Sequence, residues 1–156
     1  FIVSFGYRHI LPLGVLQCYL KRAINIHISY LPWNRGADPN LWSFLEDTPK
    51  GVSIHYLTEK IDAGDILCQE EIRFGLEETL RSSYDRLVQN AMKLFMCYWP
   101  EVRGGHMKAV PQNGRGSFHL KQDVEMYRHL LSRGWETPVR ELIGKALSKK
   151  ESAETR

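Results

Sequence analysis

The chain has 156 residues, 43% hydrophobic and 11% aromatic, which is enough apolar material for the core of one globular domain. Its 21 Lys and Arg against 18 Asp and Glu leave a net charge of +3, too weak a surplus for an electrostatic nucleic-acid groove or a polybasic membrane patch. No apolar run approaches the roughly 18 residues of a membrane span, and nothing resembles the charged start and apolar middle of a signal peptide, so a cytoplasmic location is expected.

Phe1 to Phe5 is β-branched and aromatic, the pattern of a buried strand, and has no initiator Met. The chain is therefore expected to enter its fold midway, with the opening strands upstream. Ile10 to Leu20 carries apolar residues at Val15, Leu16, Cys18, Tyr19 and Leu20, which predicts a short helix. Strict alternation then places Ile24, Ile26 and Ile28 on one face of a strand and Asn25, His27 and Ser29 on the other. After a Trp- and Gly-containing loop, Asp38 is expected to cap a helix with Pro39 in its first position and Leu41, Trp42 and Leu45 buried. Gly51 to Leu57 alternates again, with Ser53 and His55 sharing one face.

Ile61 to Asp65 predicts a tight loop in which Gly64 takes positive φ, followed by a strand at Ile66 to Ile72. Helical spacing of apolar residues from Thr79 to Val102, stopped by Gly104 and Gly105, predicts the longest helix. A short strand near Met107 to Val110, a helix capped by Asp123 and ended by Gly134, and a last helix from Thr137-Pro138 complete the pattern, with a charged tail at Lys149 to Arg156. Strands interleaved with helices argue for an α/β fold, one mixed or parallel sheet with helices on both faces.

The polar face of the first alternating strand gathers an amide, an imidazole and a hydroxyl at Asn25, His27 and Ser29. An amide NH₂ can donate to an oxyanion, and a neutral imidazole can take a proton from an attacking amine. A carboxylate on the glycine-flanked loop, Asp62 or Asp65, could orient that imidazole. His55 shares a strand face with Ser53 and is read as support for the Asp62 loop. With no His-x-x-x-His or Cys-x-x-Cys spacing, no metal is expected. Cys18, Cys68 and Cys97 are odd in number and far apart, which fits reduced packing residues. The four Trp residues are read as packing, although Trp33 lies beside Asn34 and Arg35, and Arg35 is either functional or a surface arginine that ties its loop down.

Asn25-Ile26-His27, Ser29, Leu31-Pro32, Arg35-Gly36, Pro39 and Trp42, followed by Gly51-Val52-Ser53-Ile54-His55 and Ile61-Asp62-Ala63-Gly64-Asp65, resemble the catalytic core of the folate-dependent formyltransferases. The resemblance implies a Rossmann-like core, with residues 1–111 the later part of the catalytic domain and 112–156 a short, mostly helical extension. It implies Asn25, His27 and Asp62 as catalytic residues, with Ser29, Arg35, His55 and Asp65 in supporting roles. It further implies 10-formyltetrahydrofolate as formyl donor, contacted by Tyr7, Arg8, His9, Ile10 and Leu11 and, from the other side, by Glu59.

The Arg35-Gly36-x-x-Pro39 pattern with Trp42 and Asp65 is similar to the branch holding methionyl-tRNA formyltransferase and the sugar-nucleotide N-formyltransferases. Residues after the long helix show helical periodicity and no basic patch, which disfavours tRNA. The expected acceptor is a small primary amine, first of all a nucleotide-linked amino sugar, and a homodimer is compatible with the sequence. Water as acceptor, methionyl-tRNA, glycinamide ribonucleotide and a non-catalytic folate-binding module are the alternatives.

Overall fold

The structure, a computed structural model, describes residues 1–146, so the charged tail expected at 149–156 lies outside the described residues. Four strands form one mixed sheet: β1 (Ile2–Phe5), β2 (Ala23–His27), β4 (Gly51–Tyr56) and β5 (Ile66–Glu71), in the order β1-β2-β4-β5. β1 runs parallel to β2, and β4 is antiparallel to both β2 and β5. A parallel pair needs a crossover, and the segment containing α1 (Leu13–Cys18) supplies it. A two-residue ribbon pairs β3 (Arg35–Gly36) with β6 (Phe118–His119). β1 is an edge of the described sheet, with Val3 41% and Phe5 38% exposed.

Alternation in β2 and β4 does what its period requires. Ile24, Ile26, Val52 and Ile54 meet on one face and are buried under α3 (Leu80–Gly104), packing with Leu87, Ala91 and Leu94. Helix α3 starts where Thr79 caps it: Ser82 N–H donates to Thr79 Oγ1 at 3.1 Å and Thr79 N–H donates to Ser82 Oγ at 2.9 Å. It stops at Gly105, whose φ of 72° closes the C-terminus. A second core joins α2 (Pro39–Leu45) to the start of α3 and the C-terminal segment through Leu41, Trp42, Phe44, Leu45, Val139 and Leu142. Among the described residues no helix is long and apolar enough to cross a membrane.

Several local expectations are corrected. The first helix is only Leu13–Cys18, with Leu16 buried and Val15 and Leu20 exposed, because Pro12 holds an extended backbone at its N-cap and biases the preceding residue away from helix. Asp38 precedes α2 with Pro39 in the first turn, yet it caps nothing with its side chain and sits at φ 51°. Met107 to Val110 forms no strand and touches β5 through the single bridge of Val110 with Ile66.

The helix expected after Asp123 is a 3-10 segment, Lys121–Leu130, followed by short 3-10 turns at Gly134–Glu136 and Val139–Glu141. The physical reason is spacing: Val124, Tyr127 and Leu130, which face the second core, recur at intervals of three, the repeat that eclipses side chains in a 3-10 helix. Asp123 does cap it, accepting Leu120 N–H at 2.7 Å.

Phe74 packs against both cores, so they should unfold together. Leu87→Ala in the first core (Leu87 1% exposed) and Leu142→Ala in the second (Leu142 0% exposed) should each cost about 2–5 kcal/mol. Thermal unfolding followed by circular dichroism checks this; two separated transitions in either variant would contradict a shared cooperative unit.

Candidate active site

Antiparallel register places Asn25 directly opposite His55 and His27 opposite Ser53. The four side chains therefore lie on the sheet face turned away from the apolar core. Into this face comes Asp62, from the connection between β4 and β5, with its backbone in the left-handed region at φ 50°. That assignment corrects the expectation for Gly64, which is absent from the positive-φ residues. Gly64 is required by closeness instead, since a Cβ there would lie 1.9 Å from the Tyr56 carbonyl oxygen.

Asp62 is the hub. Its Oδ1 accepts from the Asn25 amide at 3.1 Å and its Oδ2 accepts from the Gly36 N–H at 2.9 Å. His27 Nδ1 stands 3.6 Å from Oδ2, and His55 Nε2 3.5 Å from Oδ1. His27 Nε2–H donates to the Asn34 carbonyl at 2.9 Å, which leaves Nδ1 as the nitrogen that carries the lone pair when the ring is neutral. His55 Nδ1–H donates to the Tyr56 carbonyl at 2.8 Å, so its Nε2 can accept from Asn25 Nδ2 at 3.3 Å. Both amide hydrogens of Asn25 are thus engaged within the cluster; reaching a substrate oxygen requires Asn25 to release the longer bond, to His55.

Burial pushes the His27 pKa below its usual 6.5, against the opposing pull of the Asp62 charge and the Asn34 carbonyl, while His55 adds to the lowering. Burial alone would raise Asp62. A hydrogen bond from His55, which needs a proton on its Nε2, the His27 charge and the Gly36 N–H outweigh it and hold the carboxyl at about 2. These two shifts draw on different protonation states: His27 is neutral at neutral pH, so its charge acts on Asp62 only in acid. At neutral pH the Asn25 and Gly36 donors carry the carboxylate. Burial pushes the Cys68 thiol up to about 12, far from nucleophilic use.

The cluster opens on a cleft of about 1290 Å³ lined also by Tyr7, Arg8, His9, Ile10, Leu11, Glu59 and Lys60. Ser29 is buried away from it, donating to the Trp33 carbonyl at 2.8 Å and accepting at its own carbonyl from Ser53 Oγ at 2.8 Å. Arg35 begins β3, and its Nε is buried without a hydrogen-bond partner among the described residues. Asp65 is exposed, does not line the cleft, and contributes its carbonyl to Tyr56 N–H at 2.9 Å. Of the two loop carboxylates, only Asp62 reaches the imidazole.

Sequence reasoning did not find Asn34 and Gly36 as partners of His27 and Asp62, because both act through main-chain atoms. It also missed Gln112, and a buried pair in which His119 Nε2 lies 3.2 Å from Glu46 with its ring stacked on Trp42 at 3.8 Å. Gly36 stood in the recognised motif; nothing in the pattern signalled Asn34, Gln112, His119 or Glu46. Among the described residues no three His, Cys, Asp or Glu side chains form a metal-holding group.

Comparison with known proteins adds a family. The family model described as "Formyl transferase" matches residues 1–97. The methionyl-tRNA formyltransferase of Listeria monocytogenes is 35% identical over 113 residues, 72% of this chain, and the chain spans 36% of that curated relative's length. The crystal structure of the formyltransferase PseJ from Anoxybacillus kamchatkensis, in complex with UDP-4,6-dideoxy-4-formamido-L-AltNAc and tetrahydrofolate, is 54% identical. It superposes with a TM-score of 0.91 over 94% of this chain and 77% of that one. A 4-N formyltransferase from Francisella tularensis is 26% identical with a TM-score of 0.76, over 92% and 58% of the two chains. With a Rossmann-like formyltransferase fold and a family match over more than half its length, the chain belongs to the formyl transferase family.

Proposed function

We propose that this chain carries the catalytic core of an enzyme that transfers a formyl group from 10-formyltetrahydrofolate to the primary amine of a nucleotide-linked amino sugar. The observation that carries the reading is the Asn25, His27 and Asp62 cluster, with His27 buried and Asn25 and Asp62 half-buried at one wall of an open cleft, joined by the contacts described above. The sugar nucleotide is supported by the 54% identity with PseJ, whose structure holds a UDP-linked formamido sugar. Methionyl-tRNA formyltransferases are similar at lower identity, 35% for the Listeria monocytogenes protein.

The residues from Tyr7 to Leu11 suit the folate. They line the cleft, are exposed or half-exposed, and no described hydrogen bond uses their main-chain groups. Unpaired backbone donors and acceptors beside Ile10, 67% exposed, can meet the polar edge and apolar face of a flat heterocycle. When bound, the folate supplies a formyl group already activated on nitrogen.

The remaining chemistry belongs to the chain. Neutral His27 offers Nδ1 to the acceptor's amine and takes a proton as that amine attacks. The resulting imidazolium is stabilised by Asp62 at 3.6 Å and by the Asn34 carbonyl on its other nitrogen. Negative charge building on the formyl oxygen meets the Asn25 amide once its hydrogen bond to His55 is released, and as the bond between the formyl carbon and the folate nitrogen breaks, His27 returns its proton to that departing nitrogen, which leaves the formamide and tetrahydrofolate.

Three outcomes follow. A folate analogue should raise the thermal unfolding temperature saturably, and no shift on a folded sample would remove the donor assignment. With donor and acceptor supplied, Asn25→Ala should lower kcat by about 10²–10³ and His27→Ala by about 10²–10⁴. Asp62→Asn should also be severe, whereas Ser29→Ala and His55→Ala should be milder. Mass spectrometry of products from parallel reactions with UDP-linked amino sugars, methionyl-tRNA and no amine identifies the acceptor, and near-native turnover by His27→Ala would overturn the mechanism.

The pH dependence has a definite sign. Because the folded pKa of His27 lies below 6.5, the base stays deprotonated at neutral pH, and the acid limb of kcat/KM should fall below pH 6.5. The same shift makes the neutral ring stabilising above pH 6.5, and that contribution is lost as pH falls through 6.5 toward the folded pKa. Asp62, at about 2 against 3.8, adds stability above pH 3.8 that is lost between 3.8 and about 2. Rate profiles between roughly pH 4 and 8, the range around the histidine titration, and denaturant titrations extended down to roughly pH 2, through the carboxylate window, test both signs.

A further inference from the structure

We propose that Gln112 is a positioning residue for the reaction: it clamps the Asp62 loop from a strap, residues 107–119, that also holds the main-chain partners of the catalytic cluster. The proposal rests on reading that cluster as a formyl-transfer site. Gln112 Nε2 donates to the carbonyls of Asp62 and of Gly64, at 2.8 Å each. A primary amide has two N–H bonds, and here both go to one loop. Chemistry assigns the nitrogen to that place, because an oxygen there would face two carbonyl oxygens. The Oε1 of the same side chain is buried with no hydrogen-bond partner among the described residues. Leaving a buried acceptor unpaired costs free energy, a cost set against what the two donors accomplish.

The loop needs an external hold. Asp62 sits at φ 50°, a conformation unfavourable for a residue other than glycine, and Glu59, Lys60 and Ile61 beside it are exposed. Internal support is thin: Thr58 Oγ1 donates to the Lys60 carbonyl at 3.0 Å and Ala63 N–H to the same carbonyl at 3.4 Å. Without a clamp on its backbone, the carboxylate would keep its partners only through its own side chain.

The strap is anchored on either side of Gln112. Val110 and Ile66 exchange both backbone hydrogen bonds at 2.8 Å. Further on, Ser117 Oγ accepts Asn34 N–H at 2.9 Å, and the Ser117 carbonyl accepts Arg35 N–H at 3.0 Å. The His119 carbonyl accepts Ala37 N–H at 2.9 Å. These contacts bracket Asn34, whose carbonyl holds His27, and Gly36, whose N–H holds Asp62. One segment thereby sets the carboxylate, its backbone donor and the imidazole relative to one another, and it lies beyond residues 1–97 matched by the family model.

The test uses Gln112→Met, which keeps length and removes both donors, and Gln112→Lys, which keeps a donor head. In the full-length protein with its acceptor, Gln112→Met should lower kcat by about tenfold to a hundredfold, the scale of a small misplacement, with KM for the folate little changed. In the protein without substrates, NMR titration of the His27 ring should move to lower pH. The groups facing that ring are Asp62, His55 and the Asn34 carbonyl, and a displaced Asp62 supports imidazolium less. Gln112→Lys should recover most of the rate and of the titration. A brace acting only on stability would lower the unfolding temperature and leave the His27 titration in place, and that result would refute the proposal. So would native kcat and titration in Gln112→Met. Should the Met variant not fold, Gln112→Lys decides: a low rate with an unmoved titration overturns the clamp, and native values support it. If the wild-type protein transfers no formyl group while the His27 shift appears, the functional reading fails and the positioning role stands.

Discussion

A carboxylate largely withdrawn from water is costly unless its oxygens are occupied, and satisfying the half-buried Asp62 constrains much of the molecule. Its two oxygens take donors from β2, through Asn25, and from β3, through the Gly36 N–H. Two imidazoles stand within 3.6 Å. The register of β2 against β4 must therefore be correct to the residue, since a slip of one would turn Asn25 and His55 into the apolar core. The packing of Ile24, Ile26, Val52 and Ile54 under α3 guards that register, which ties the chemistry of one sheet face to the hydrophobic burial of the other.

The same arrangement separates charge from proton acceptance. Asp62 stays ionised across the ordinary pH range, and His27 stays neutral at neutral pH because burial penalises its charged form more than Asp62 favours it. The pair is thus poised to gain a proton at His27 Nδ1 and to be stabilised on gaining it, as the proposed transfer to an amine requires. Asn25 completes the set by holding Asp62 and His55 at rest, with amide hydrogens that can be redirected.

The C-terminal segment is not peripheral to this. Tyr127, Val139 and Leu142 fill the second core beside Trp42 and Leu80, and β6 pairs with β3. His119 of β6 stacks on Trp42 and meets Glu46 at the end of α2. Main-chain groups of Asn34 and Gly36 that serve the cluster therefore depend on residues far along the chain, joined to them by backbone hydrogen bonds.

Sequence by itself determined the alternating faces of β2 and β4, the extent of the long helix, and the grouping of Asn25, His27 and Asp62. Each is legible because a period of two or 3.6 residues, a cap, or a recognised run of side chains is a local property of the chain. It determined less well the regions where the decisive atoms belong to the backbone. That Asp62 and not Gly64 takes the left-handed conformation, and that a 3-10 segment replaces a helix after Lys121, were decided by tertiary contacts. The partners of the cluster, Asn34 through its carbonyl, Gly36 through its N–H and Gln112 through two loop carbonyls, came only from the structure. Every residue but proline carries the same main-chain N–H and C=O, so no side-chain pattern can announce which of them will be brought, by folding, to a buried charge.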